Sequence, residues 1–133
     1  METQEIIAAW ADATFPNSTR ESIARHLLSE AMELCLSLGV PMNDIEAIAM
    51  DAHERHGQHV PMPKMEIASI AVLCYHFAHK EHTRLGELVN SIMVINRTRE
   101  WAKTINWLGF TDHVRPRLQQ RREGNDSSSE EPE

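Results

Sequence analysis

The sequence predicts an all-α domain: an antiparallel bundle of about five helices, followed by a disordered acidic C-terminal tail. Three observations carry that expectation. Apolar residues recur at three- and four-residue spacings, and no segment shows the clean alternation of a half-buried strand. Helix-start signatures, a Ser or Asn followed three residues later by Glu, precede two of the apolar runs. With 133 residues the chain is long enough for one domain with a real core.

Each element follows from its own punctuation. A first helix covers roughly Gln4 to Ala13 and ends at "TFPN". Ser18 with Glu21 reads as a capping box, which opens a second helix from about Thr19 to Leu38, with Gly39 as the residue that stops it. Asn43 with Glu46 repeats the signature, and Gly57 closes a third helix of about Asp44 to His56. The segment "GQHVPMP", with two prolines, is a loop. A fourth helix, about Pro63 to Lys80, reads as buried on most faces. Thr83 is placed to cap a long fifth helix reaching about Thr104, and a short helix follows "NWLGF". The domain therefore spans residues 1–122 and the tail 123–133.

Charge and cysteine content narrow the function classes. The formal net charge is −7, but the final "EGNDSSSEEPE" holds five acids, leaving about −2 for the rest. The body thus lacks a nucleic-acid footprint; "RPRLQQRR" is the only dense basic run and reads as a solvated helix end. Cys35 and Cys74 lie in apolar helical runs and read as small core residues of a reducing compartment. The opening "METQEIIAAW" is no signal peptide, and the longest apolar run, "IASIAVLCY", is too short to span a bilayer. The expectation is a soluble protein of the cytoplasm, or of the host cytoplasm if the chain is phage-encoded.

The chemistry concentrates in "HLLSEAMELCLSLG". Glu30 and Glu33 lie among Leu27, Leu28, Met32, Leu34 and Leu36, and their three-residue spacing puts both carboxylates on one helix face. The fourth helix repeats the anomaly with Glu66 among Met65, Ile67, Ile70 and Val72. If the two helices face one another, three carboxylates cannot all ionise in a dry bundle without a cation. Hard oxygen ligands with open positions suit Mg²⁺ or Mn²⁺. Taken alone, Glu30 and Glu33 read as a solvated face, and Trp10 and Trp101 as packing residues. Histidine pairs at chelating spacing, His53 with His56 and His76 with His79, have no third ligand at a recognised zinc spacing. Nucleophile motifs and Gly-rich phosphate loops are absent.

The stretches "TFPNSTRESIARHLLSEAMEL", "EIASIAVLCYHFAHK" and "INRTREW" resemble the MazG-like all-α NTP pyrophosphohydrolases, particularly their compact phage and bacterial members. The resemblance covers about Trp10 to Val114. That family carries E-x-x-E on one helix, E-x-x-D on the next and a downstream N-x-x-R-x-W element. Glu30 and Glu33 match the first motif, Glu66 the start of the second, and Asn96 and Arg99 the third, with Trp101 behind them.

Three positions depart from the pattern. The family aspartate falls on Ser69, a weak neutral ligand, and a family lysine falls on Ile92. The segment Val40 to Met62 adds a helix, in which Asp51 or Glu54 is available to replace the missing carboxylate.

The resemblance implies a divalent-metal-dependent hydrolase that cleaves a (d)NTP to the monophosphate and pyrophosphate. Glu30, Glu33 and Glu66 would be catalytic and, with Ser69, would hold Mg²⁺ or Mn²⁺; Asn96 and Arg99 would bind substrate. Arg97 and Lys103 are further candidates for supporting the departing charge. Some phage relatives act on guanine nucleotides, which extends the expectation to (d)GTP. Relatives also assemble as dimers or pairs of dimers, so the resemblance implies a homo-oligomer. The competing reading is a non-catalytic helical module that binds a nucleotide or a protein, and Ser69 and Ile92 are its support.

Overall fold

The structure is a computed structural model, and it describes residues 1–99. Those residues form five α-helices and, among themselves, no strand. The helices are α1 (Gln4–Thr14), α2 (Arg20–Ser37), α3 (Met42–His56), α4 (Pro63–Lys80) and α5 (Leu85–Thr98). The all-α expectation therefore stands. The predicted C-terminal helix and the tail of 123–133 lie outside the described residues.

The described chain divides into two compact units, one made of residues 1–8 and 39–99, the other containing residues 9–38. In the second unit the join between α1 and α2 is built locally. Trp10 and Phe15 meet edge to face, with ring centroids 5.7 Å apart and an interplanar angle of 89°. Trp10 is thus a packing residue, as its sequence context suggested. The turn closes through the Ser18 N–H on the Phe15 carbonyl at 3.1 Å.

The start of α2 is displaced by one residue from the expected Ser18–Glu21 box. Thr19 is the N-cap: its Oγ1 accepts the Ser22 N–H at 3.1 Å, while Ser22 Oγ accepts the Thr19 N–H at 2.9 Å. Adjacent Ser18 and Thr19 are chemically equivalent caps, and the reciprocal bond with the buried Ser22 decides between them. The end matches the expectation. Leu38 is the C-cap and Gly39 follows in the left-handed region at φ 79°.

In the first unit, α3 begins earlier than the Asn43–Glu46 signature implied. Pro41 is the N-cap, and its carbonyl accepts the N–H groups of Asp44 and Ile45 at 3.0 and 3.2 Å. Its extended φ and ψ of −71° and 151° set the entry angle, so Asn43 lies inside the first turn without capping it. The fourth helix spans the residues expected, with Pro63 at a position where a missing N–H costs nothing.

Between α4 and α5 the sequence expectation gives way to a different device. Glu81 is the C-cap of α4, and His82 follows at φ 56°, in the conformation that glycine usually supplies. The His82 N–H reaches the His79 carbonyl at 3.1 Å and the Thr83 N–H the Ala78 carbonyl at 3.0 Å. That pair of bonds is a Schellman closure. It uses Thr83 as the end of α4, so Thr83 does not cap α5; Arg84 holds that position, without a side-chain cap. At its other end α5 stops at Thr98, where Arg99 turns extended, rather than at Thr104.

α4 packs against α5, and each contributes one buried residue, Ala78 and Met93. Ile45 of α3 is the third buried apolar side chain among the described residues. The expectation that α4 is buried on most faces is therefore corrected. Ile67, Val72, Leu73 and Tyr75 are all about two-thirds exposed. Cys74 is exposed and Cys35 half-buried, so neither thiol is a core residue. Met42, Met50, Met62 and Met65 are exposed as well. The apolar runs make amphipathic or uniformly apolar helices, and the described contacts within each unit cover only part of them.

Candidate functional site

Glu30 and Glu33 both lie on α2, where 100° per residue sets them on one face within a single turn. Both are exposed. Glu30 takes a neighbour from its own helix: His26 Nε2 stands 3.3 Å from Glu30 Oε1, one turn earlier. The pair is a true charge interaction only when the imidazole is protonated. Around Glu33, the Ser37 hydroxyl donates to the Glu33 carbonyl at 2.8 Å, which leaves the carboxylate out of that bond. The stretch is thus a carboxylate pair on a solvent-facing stripe, flanked by the exposed Leu27, Leu34 and Leu36.

Glu66 and Ser69 share a face of α4 in the same way, one turn apart and both exposed. Glu66 lies in the first turn, where the partial positive charge of the helix N-terminus favours a carboxylate. The Ser69 hydroxyl donates to the Met65 carbonyl at 3.1 Å, so its proton is engaged within the helix while its lone pairs face outward. Within neither unit do the described residues gather three or more His, Cys, Asp or Glu side chains into a group able to hold a metal ion. Asp51 and Glu54, the candidates for the missing carboxylate, line a shallow concavity along α3 together with Met50 and His53. Asp51 is paired there with Arg55 at 2.8 Å.

Asn96 and Arg99 stand at the C-terminal end of α5, Asn96 half-buried and Arg99 exposed. Asn96 Nδ2 lies 3.9 Å from Met93 Sδ, a weak contact that orients the amide towards its own helix. The neighbouring Arg97 has another role. Its guanidinium grips both carboxylate oxygens of Glu2, with the Nη2–Oε2 distance at 2.8 Å. The Glu2 N–H, in turn, donates to Asn90 Oδ1 at 3.0 Å. Arg97 holds the Glu2 carboxyl below its ordinary range, and Glu2 holds the guanidinium above its own. No sequence signal pointed to this clasp, because its partners are separated by 95 positions and no local periodicity links them. The His26–Glu30 pair was legible, since four residues on a helix is one turn. Lys103 and Trp101 lie outside the described residues.

Among family models, curated proteins and solved structures, none matches this chain.

Proposed function

We propose that the protein is a nucleoside triphosphate pyrophosphohydrolase dependent on Mg²⁺ or Mn²⁺, which cleaves a (d)NTP to (d)NMP and pyrophosphate, with guanine nucleotides favoured. The observation that carries this reading is the Glu30–Glu33 pair. Two exposed carboxylates on one turn of α2, in an otherwise leucine-rich stretch, match the E-x-x-E of the MazG-like enzymes. Glu66, Asn96 and Arg99 fall on the remaining motif positions.

Carboxylates and a hydroxyl are hard oxygen ligands of the kind Mg²⁺ and Mn²⁺ take, and the family resemblance is what assigns Glu30, Glu33, Glu66 and Ser69 to hold the ion. Bound there, a divalent ion supplies positive charge against the triphosphate and lowers the pKa of water. The chain's own groups do the rest. Glu33 or Glu30 accepts a proton from the attacking water. Arg99 stabilises charge accumulating on the departing pyrophosphate, and Asn96 hydrogen-bonds phosphate or sugar. The same reading carries a homo-oligomer, dimer or tetramer, working in the cytoplasm on a small-molecule substrate rather than on nucleic acid. Among the described residues, no helix is long and apolar enough to cross a membrane.

A second reading, a helical module that binds nucleotide or protein without turnover, draws on Ser69. Its hydroxyl proton is spent on the Met65 carbonyl, and neither unit gathers three ligating side chains among its described residues. One assay separates the two. Every common NTP and dNTP is incubated with Mg²⁺ or Mn²⁺, monophosphate is resolved from diphosphate, and Glu33→Ala runs alongside. The enzyme reading expects monophosphate plus pyrophosphate from a restricted set of bases, reduced at least about a hundredfold in the variant, the usual scale for losing an acid–base group. Folded protein with no turnover on any nucleotide would replace it with the binding module.

A further inference from the structure

The clasp between Glu2 and Arg97 differs in kind from the His26–Glu30 and Asp51–Arg55 pairs. His26–Glu30 and Asp51–Arg55 each join neighbouring turns of one helix, whereas Glu2 and Arg97 are 95 positions apart. Asn90 and Arg97 are seven residues apart on α5, two turns along one face. That face reads two features of the N-terminal segment at once: Asn90 takes the Glu2 N–H, and Arg97 takes the Glu2 carboxylate through both oxygens. The Glu2 side chain is 12% exposed.

A guanidinium fork of this kind fits a phosphate as readily as a carboxylate. Arg97 is next to Asn96 in sequence and two residues before Arg99, so it shares the C-terminal end of α5 with the residues proposed to bind substrate. Its guanidinium is already occupied by an anion of the chain itself. We infer that Glu2 is a built-in competitor at an anion-binding guanidinium: a polyphosphate ligand displaces the Glu2 carboxylate from Arg97 and frees the N-terminal strap from α5.

The carboxylate is covalently attached close to its acceptor, so its local concentration is high, and a free polyanion must outcompete it. Where the strap is closed about nine-tenths of the time, the apparent affinity of the competing ligand falls about tenfold, in proportion to the open fraction. The inference rests on the proposed substrate class only through the charge of the ligand. A binding measurement without turnover therefore tests it separately from the hydrolase reading.

The probe is inorganic tripolyphosphate, titrated without metal into the full chain and followed by calorimetry and by the amide resonance of Glu2. For the native protein, the Glu2 amide is expected to shift as tripolyphosphate binds. Glu2→Gln is expected to bind about tenfold more tightly, and Arg97→Gln to lose the site. Equal affinity of E2Q and native protein overturns the inference, and so does R97Q binding as the native chain does, or tripolyphosphate failing to bind either native protein or E2Q. Should E2Q lose helical circular dichroism, the native titration decides alone. A Glu2 amide that stays in place at saturating tripolyphosphate shows that the clasp is only structural.

Discussion

At the scale of the residue, His82 is the most exacting position in the described chain. It adopts φ 56° so that α4 can close through the bonds of His82 and Thr83 to the carbonyls of His79 and Ala78. A side chain with a Cβ carries a cost there of about 1 kcal/mol that glycine does not. His82→Gly is therefore expected to raise the unfolding free energy by up to about 1 kcal/mol, visible as a higher denaturant midpoint with an unchanged slope. A lower midpoint would mean that the imidazole contributes something the backbone geometry does not reveal. Gly39 shows the contrast: the left-handed turn after α2 carries the residue suited to it, and the sequence signalled the stop for that reason. The turn at His82 carries no such signal, so the sequence points to Thr83 as a cap, whereas its N–H belongs to the preceding helix.

At the scale of the element, helix identity was legible and helix boundaries were less so. Interior spacing announces a helix because each apolar residue repeats the same vote, whereas a boundary depends on one hydrogen bond. α2 illustrates both. A helix from about Thr19 to Leu38 was plain from its apolar run and the Gly39 stop, but its first residue depended on whether Ser18 or Thr19 met a partner three residues on. Ser22 settled it by returning the bond. Thr19→Ala removes one side of that exchange and leaves Ser22, buried at 3% exposure, short of an acceptor. The expected loss is about 1 kcal/mol by chemical denaturation, and Ser18→Ala is expected to change little. Equal losses at both positions would show that the cap alternates between them. In the candidate site, helical spacing alone sets Glu30 and Glu33 on one face, and α2 carries them there; Glu66 stood out as an acid in an apolar run, and Ser69 enters only through the family resemblance. The clasp of Glu2 on Asn90 and Arg97 was not legible, since long-range pairing leaves no periodic trace in one sequence.

At the scale of the whole molecule, the described helices leave a large apolar inventory outside any core. Leu73, Tyr75 and Val94 are exposed on the packed pair α4 and α5, as are Leu27, Leu28 and Leu36 on α2. Burial of a large apolar side chain stabilises by about 1.5–3 kcal/mol, so exposed faces of this kind favour self-association. The homo-oligomer proposed above makes a direct expectation: the thermal midpoint rises with protein concentration, because mass action stabilises an assembled state. A midpoint constant over a hundredfold range of concentration, together with a monomeric mass in sedimentation, would remove the oligomer from the reading.

The methionines give those faces a chemical vulnerability. Met42, Met50, Met62 and Met65 stand exposed, while Met93 is almost fully enclosed. A thioether that meets solvent takes up oxygen from peroxide and becomes a polar, chiral sulfoxide, which sits poorly against an apolar partner. Oxidative stress would therefore reach the outer faces of α3 and α4 before it touched the packing beneath α5. Any surface that shields Met65 from peroxide in the working protein is a surface that α4 does not present to water.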